Sequence, residues 1–245
     1  MMIGALCKAA DLITFLLNPG RELPCSAIPT YMVMYISREY KASVEPPTTI
    51  QQLAYNNNMF RAIFLDRDGV LIENRSNYVR DWSHVTILPR VIEALSRFQQ
   101  DGFKIIVVTN QSAVGRSLMT FKAAQEINNR LIQTIKANGG WIDAVYMCPH
   151  TPEDVCSCRK PQPGLLIQAA QEFSLDFNSS WMVGDAWSDL LAGQSAGLHG
   201  TVMVKTGRGA TQLLENQPEG IQSFLISDDL LDAFNTITYF QKNTS

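Results

Sequence analysis

The chain has 245 residues, a formal charge of −3, 46% hydrophobic and 18% charged residues. That is the make-up of a globular protein large enough to bury a core without disulfide staples, and no basic patch points to nucleic acid as a partner. No run reaches the roughly 18 uncharged apolar residues of a membrane span, and Lys8 and Asp11 precede only a short apolar run, Ile13 to Leu17, without the basic start of a signal peptide. A cytoplasmic protein with no membrane partner is expected, and nothing suggests assembly beyond a monomer.

Residues 1–58 differ from the rest. They carry Pro19, Pro24, Pro29, Pro46 and Pro47 and end in Tyr55-Asn56-Asn57-Asn58, directly before Met59. Two expectations follow: a weakly ordered N-terminal extension, or a misassigned start with Met59 as the true first residue. Residues 59–245 form the expected main domain.

From Phe60 the pattern alternates. Phe60 to Leu65 reads as a buried strand. Pro89 to Gln100 reads as a helix, with Val91, Ile92, Leu95 and Phe98 on one face. Phe103 to Val108 is a second strand. Thr120 caps a helix running to about Ala137, with Gly139-Gly140 as its stop. Ala144 to Met147 is a third strand, followed by a cysteine-rich loop and a helix from about Pro163 to Phe173. Trp181 to Val183 is a strand, Ser188 to Ser195 a helix, Thr201 to Val204 a strand, and Ser223 to Phe240 holds a last strand and helix. This alternation predicts a doubly wound α/β domain with a mostly parallel sheet, whose ligands bind at the carboxyl ends of the strands.

Four motifs fall at such ends. Asp66-Arg67-Asp68-Gly69 follows the first strand; one carboxylate can attack a phosphoryl group while a second, two residues on, handles the proton. Thr109-Asn110-Gln111-Ser112 offers a hydroxyl and free amides. Lys160 can neutralise charge on a transferring phosphoryl group. Gly184-Asp185, with Asp189 in the following helix turn, offers oxygens to a hard cation. Each alone also reads as ordinary chemistry: a turn dipeptide, a polar loop, a surface lysine, carboxylates at a helix start. Their order after successive strands is what carries the reading.

In that order the chain resembles the haloacid dehalogenase superfamily of phosphohydrolases, over roughly residues 60 to 210. The resemblance implies Asp66 as nucleophile, Asp68 as general acid/base, Thr109 and Lys160 as phosphoryl ligands, and magnesium on Asp66, the Asp68 backbone carbonyl and Asp185. It implies a two-step reaction through an aspartyl-phosphate.

Cys148, His150, Cys156 and Cys158 form a C-x-H-x5-C-x-C pattern in a loop from 148 to 158. Three thiolates and an imidazole make a closed structural zinc site; the alternative is unligated thiols beside a chance histidine. Five cysteines so arranged favour a reducing compartment over a disulfide framework. This loop, followed by Arg159-Lys160-Pro161, resembles the D-glycero-D-manno-heptose 1,7-bisphosphate 7-phosphatases, with the histidinol-phosphate phosphatases as relatives. FLDRDGVL and Asn74 to Tyr78 strengthen that likeness. About 40 residues between Asp68 and Thr109 leave no room for a cap domain. The resemblance implies an open site whose substrate contacts are Asn74, Asn77, Tyr78, Asn110, Gln111, Ser112 and Arg159. The implied substrate is a small phosphorylated sugar, most directly at the 7-phosphate of a heptose bisphosphate; the alternative is histidinol phosphate or another small phosphorylated metabolite. The chain departs from the family where Ala186-Trp187 replaces a substrate-contacting lysine and where Ser112 to Arg116 departs from the usual Ser-Gly sequence. Trp181 and Trp187 are candidates to line a sugar site, with core packing the expectation for Trp181, and Lys205 to Arg208, which could approach a phosphate, reads rather as a surface turn.

Overall fold

The computed structural model describes residues 32–35 and 59–243. The expectations for residues 1–58, and Cys7 and Cys25 with them, lie outside the described residues, except for one strand, β1 (Met32–Tyr35). The remaining strands are β2 (Ala62–Leu65), β3 (Lys104–Asn110), β4 (Ala144–Cys148), β5 (Trp181–Gly184), β6 (Gly200–Val204) and β7 (Leu225–Ser227). They form a single sheet in the order β1-β4-β3-β2-β5-β6-β7. All neighbours are parallel except β1, which pairs antiparallel with β4.

The inner strands β2 to β6 are short, apolar and buried on both faces, as parallel strands covered by helices must be. Side chains alternate by the strand period of two. Ile63, Leu65, Ile105 and Val107 enter one core, packed with Leu95, Phe98, Leu131 and Ile237. Ala62, Phe64, Ile106 and Val108 enter the other, with Leu165, Leu166 and Ala169. Trp181 is buried in the first core, as expected, its ring 5.6 Å from that of Phe240. The chain winds from β2 outward through β3 to β4, then returns to β5 on the other side of β2. The β2–β5 boundary is therefore the point where strand order reverses, and a crevice opens there above the carboxyl ends. No helix among the described residues is long and apolar enough to cross a membrane.

Most expected elements fall within two residues of their predicted bounds. The first strand starts at Ala62 rather than Phe60, which makes only an isolated bridge to Leu175. The helix expected from Pro89 runs Val91–Gln100, because Arg90 ahead of it adopts the left-handed conformation (φ 63°) and breaks the helical path at the proline. Between β2 and that helix lie only loops and a single 3-10 turn, Trp82–His84, so no cap domain interrupts this stretch.

The helix Phe121–Ala137 begins as expected: the Thr120 hydroxyl accepts a hydrogen bond from the Ala123 amide at 3.1 Å. It ends at Asn138, with Gly139 turning the chain at φ +88°. Thr120→Ala should cost about 1 kcal/mol. In a domain of this size that lowers the melting temperature by roughly 2 to 4 °C in a thermal denaturation scan.

Candidate active site

Asp66 is the first residue beyond β2, and its amide donates to the Val183 carbonyl of β5, which fixes it at the crevice. Lys160 reaches it from the loop after β4. The ammonium donates to Asp66 Oδ1 at 2.8 Å and to the Val108 carbonyl at 2.7 Å, and lies 2.7 Å from Asp189 Oδ1. An ammonium has three N–H donors, and all three are used here in a buried position. Burial alone would drive Lys160 toward the neutral amine, but the charges of Asp189 and Asp66 outweigh it and hold its pKa above the ordinary value. Asp189 is fully buried as well; desolvation pushes its pKa up to about 7 against the pull of Lys160. Its Oδ2 also accepts the Ala186 amide at 3.1 Å, so Asp189 caps its helix and anchors the lysine at once.

Asp185, the first residue after β5, is completely buried. Desolvation and then the charge of Asp66 raise its pKa, opposed by Arg208. Arg208 donates its backbone amide to Asp185 Oδ2 at 2.8 Å and a guanidinium N–H to Oδ1 at 3.1 Å. The Lys205–Arg208 segment is therefore not merely a surface turn: it closes one wall of the crevice. Thr206 Oγ1 donates to the Gly69 carbonyl at 2.6 Å. A Cβ at Gly69, where φ is +90°, would meet Asp185 Oδ2 at 2.1 Å, and one at Gly207 would meet Gly69 Cα at 2.5 Å. Only glycines allow the two loops this approach.

One oxygen from each of Asp66, Asp185 and Asp189 lies within 4.8 Å of the others. An all-oxygen carboxylate group of this size is the donor set magnesium takes. Asp189 joins the group through its side chain, whereas the Asp68 carboxylate turns elsewhere. Arg67 donates to Asp68 Oδ2 through Nε at 3.1 Å and through Nη2 at 2.8 Å, and Gln111 Nε2 donates to the same oxygen at 2.9 Å. Gln111 Nε2 also donates to Thr109 Oγ1 at 2.9 Å. The Gln111 side chain is thus spent inside the site. Asn110 is too: its amide pairs with the backbone of Lys160 in both directions, at 3.0 and 3.1 Å.

Arg159 Nη1 donates to Ser112 Oγ at 2.8 Å and to the His150 carbonyl at 2.9 Å, so the loop after β4 and the turn after β3 are tied together. Asn74 and Asn77 are exposed. Tyr78 is half-buried with φ 62°, a strained conformation for a bulky residue. No hydrogen bond among the described residues joins these three side chains to the acid cluster. Trp187 turns away from the crevice and packs edge-on against Phe224 at 5.4 Å. Sequence reading passed over Arg67 and Asn128 as parts of this site and set Arg208 aside in a surface turn; the one available signal for the first was an arginine lodged between two acids at a buried strand end.

The cysteine loop folds into a tight cluster. The Cys148, Cys156 and Cys158 sulfurs lie 3.3 to 3.8 Å apart, and His150 Nδ1 is 3.5 and 3.3 Å from the Cys148 and Cys158 sulfurs. These separations are too long for disulfides. They lie near the edges of a tetrahedron with metal–sulfur bonds of about 2.3 Å, which are roughly 3.8 Å long. The Cys158 hydrogen bond is the main cause that brings the Cys148 thiol down to about 6, and the same contact is the main cause that raises Cys158. The soft, closed donor set fits zinc.

The comparisons agree with this geometry. A model of HAD-hydrolase-like proteins matches residues 157–233. A D-glycero-beta-D-manno-heptose-1,7-bisphosphate 7-phosphatase of Pseudomonas aeruginosa is 36% identical over 69% of this chain and 92% of its own length. A probable enzyme of the same name from Thermoplasma volcanium is 42% identical over 51% of this chain and 85% of its own. The D,D-heptose 1,7-bisphosphate phosphatase of B. bronchiseptica, solved with magnesium and phosphate, superposes with a TM-score of 0.67 at 31% identity, over 74% of this chain and 99% of that one. The chain belongs to the haloacid dehalogenase-like phosphatases, and within them to the family of the D-glycero-D-manno-heptose 1,7-bisphosphate 7-phosphatases.

Gly69→Ala should cost about 1 to 3 kcal/mol from its left-handed backbone, with the overlap on Asp185 adding to it. Denaturant unfolding at equilibrium measures that loss, and an unchanged midpoint would contradict the tight packing of the two loops.

Proposed function

We propose that this protein is a magnesium-dependent phosphomonoesterase that removes the 7-phosphate of D-glycero-D-manno-heptose 1,7-bisphosphate. The observation that carries the chemistry is Lys160, buried and bonded at once to Asp66 and to Asp189 at the point where strand order reverses. The substrate assignment is supported by the relatives, which carry that activity in their names over most of their length.

In this reading an Asp66 oxygen attacks phosphorus and the bond to the sugar oxygen breaks, with the electron pair leaving on that oxygen. Asp68 gives it a proton and later takes one from the water that cleaves the aspartyl-phosphate. Lys160 and Thr109 receive the phosphoryl oxygens, where fixed donors offset the charge that develops. Asp66, the Asp68 carbonyl and Asp185 would hold magnesium, which draws an anionic ester toward an anionic nucleophile. Arg159, whose guanidinium lies over Ser112, is placed to meet the sugar or its second phosphate. Asn74, Asn77, Tyr78, Asn110, Gln111 and Ser112 complete the pocket, with Asn110 and Gln111 acting through Lys160 and Asp68. The phosphatase domain is residues 59–245, and the extension of residues 1–58 adds the edge strand Met32–Tyr35 to its sheet. Zinc on Cys148, His150, Cys156 and Cys158 would fasten the loop that delivers Arg159 and Lys160, and such thiolate ligands suit the reducing cytoplasm.

Phosphate release from a panel of sugar phosphates and histidinol phosphate, with magnesium and then with chelator, tests the assignment. Magnesium-dependent release that favours the heptose bisphosphate is expected; faster turnover of histidinol phosphate would replace the substrate. Asp66→Asn should reduce turnover by about 10³-fold or more while the fold is kept. Cys156→Ser should lower the zinc content measured by elemental analysis and reduce the melting temperature by several degrees. A zinc-free wild type of full stability would end the structural-metal assignment.

A further inference from the structure

Arg67 lies between the two acids of the first motif, yet its side chain is among the largest fully buried ones in the protein. A buried guanidinium is costly unless its donors are matched. Its acceptors are few and specific. Nε and Nη2 hold both oxygens of Asp68, at 3.1 and 2.8 Å on Oδ2 and 3.1 Å on Oδ1. Nη2 also donates to Gln111 Oε1 at 3.0 Å, and Nη1 to Asn128 Oδ1 at 2.7 Å. Asp68 is the only anion among these partners, and Gln111 links it onward to Thr109.

We propose that Arg67, seated by Asn128, is a positioning residue that fixes the carboxyl of Asp68 for proton transfer to the leaving group. The forked guanidinium defines both the plane and the direction of the carboxyl, which a single hydrogen bond would not. Asn128 belongs to the buried face of the Phe121–Ala137 helix, and its Oδ1 takes the one guanidinium nitrogen that Asp68 and Gln111 do not. The assignment rests on the phosphatase reading of Asp66 and Asp68. It adds that the precision of the acid comes from a residue that touches neither substrate nor metal.

The leaving group separates this role from a mere brace of the fold. When the P–O bond to an alkyl oxygen breaks, the departing alkoxide needs the Asp68 proton. When p-nitrophenyl phosphate is cleaved, p-nitrophenolate departs as a stable anion and needs none. The second-order constant kcat/KM reports the step that forms the aspartyl-phosphate, before water enters. Arg67→Met should therefore lower kcat/KM for a sugar phosphate by about 10²-fold, and for p-nitrophenyl phosphate at least tenfold less than that. Asn128→Leu, a milder change of similar volume, should show the same bias at smaller size and guards against failure of the first variant to fold. Equal losses on both esters in the folded variants, or no loss on either, would overturn the role of Arg67. The control is Asp68→Asn: if it spares the sugar phosphate in an active enzyme, the fault lies with the reading of Asp68 as the acid, and the Arg67 assignment falls with it.

Discussion

Lys160 is held in a place where a charge can survive only in company. Its ammonium is sealed from water, and the two carboxylates that accept it, Asp66 and Asp189, are sealed with it. Removing either partner from such a cluster would leave an uncompensated buried charge, which is far more expensive than the loss of a surface pair. Much of the local architecture serves that one contact. The β2–β5 boundary supplies Asp66, the helix after β5 supplies Asp189, the end of β3 supplies the Val108 carbonyl, and Asn110 grips the lysine backbone on both sides. Three carboxylates, Asp66, Asp185 and Asp189, face two cations, Lys160 and Arg208. With all three ionised the crevice carries a surplus of negative charge, and that repulsion, which adds to desolvation in raising Asp185 and Asp189, is what a divalent cation would relieve.

The cysteine cluster solves a related problem of delivery. Lys160 and Arg159 sit on a loop with prolines at 149, 152, 161 and 163, a stretch with little regular structure to hold it. Four candidate ligand atoms within 4.8 Å of one another gather the loop directly ahead of these two residues. The contact of Arg159 with Ser112 then transmits that order to the turn after β3. Two separate donor sets of different chemistry, one soft and closed, one hard and open to the crevice, can coexist because their ligand preferences do not overlap.

The fold was legible in the sequence because strand and helix periods alternate cleanly, with Thr120 and Gly139 marking a helix at both ends. Asp66 and Asp185 were legible for a different reason: each directly follows a buried strand, and strand ends in such folds point into one crevice, whereas Lys160, beyond the cysteine loop, stood out only by its place among the other motifs. Asp189 was ambiguous between helix cap and site, and the structure gives it both tasks at once. Other residues had no local signal. Asn128 lies mid-helix among polar neighbours, and only the tertiary packing brings it 2.7 Å from an arginine 61 positions earlier. Arg208 follows a glycine-bearing turn and stays exposed, yet the close approach of Gly69 and Gly207 lets its amide and guanidinium reach buried Asp185. Trp187 carried the opposite error, an aromatic residue near a sugar site that the neighbouring Phe224 and Leu213 claim for packing.

The partners in the Asp66–Lys160 pair are 94 positions apart in the chain. On a ribosome adding roughly 5 to 20 residues per second, Asp66 emerges about 5 to 20 s before its counterion. During that interval β2 and β3 can pair, but Asp66 lacks its Lys160 partner. The last pieces of the crevice, Asp185, Asp189 and Arg208, arrive later still. Assembly of the centre is therefore a late event in biosynthesis, and a chain released short of residue 208 would carry Asp66 without the wall that encloses it.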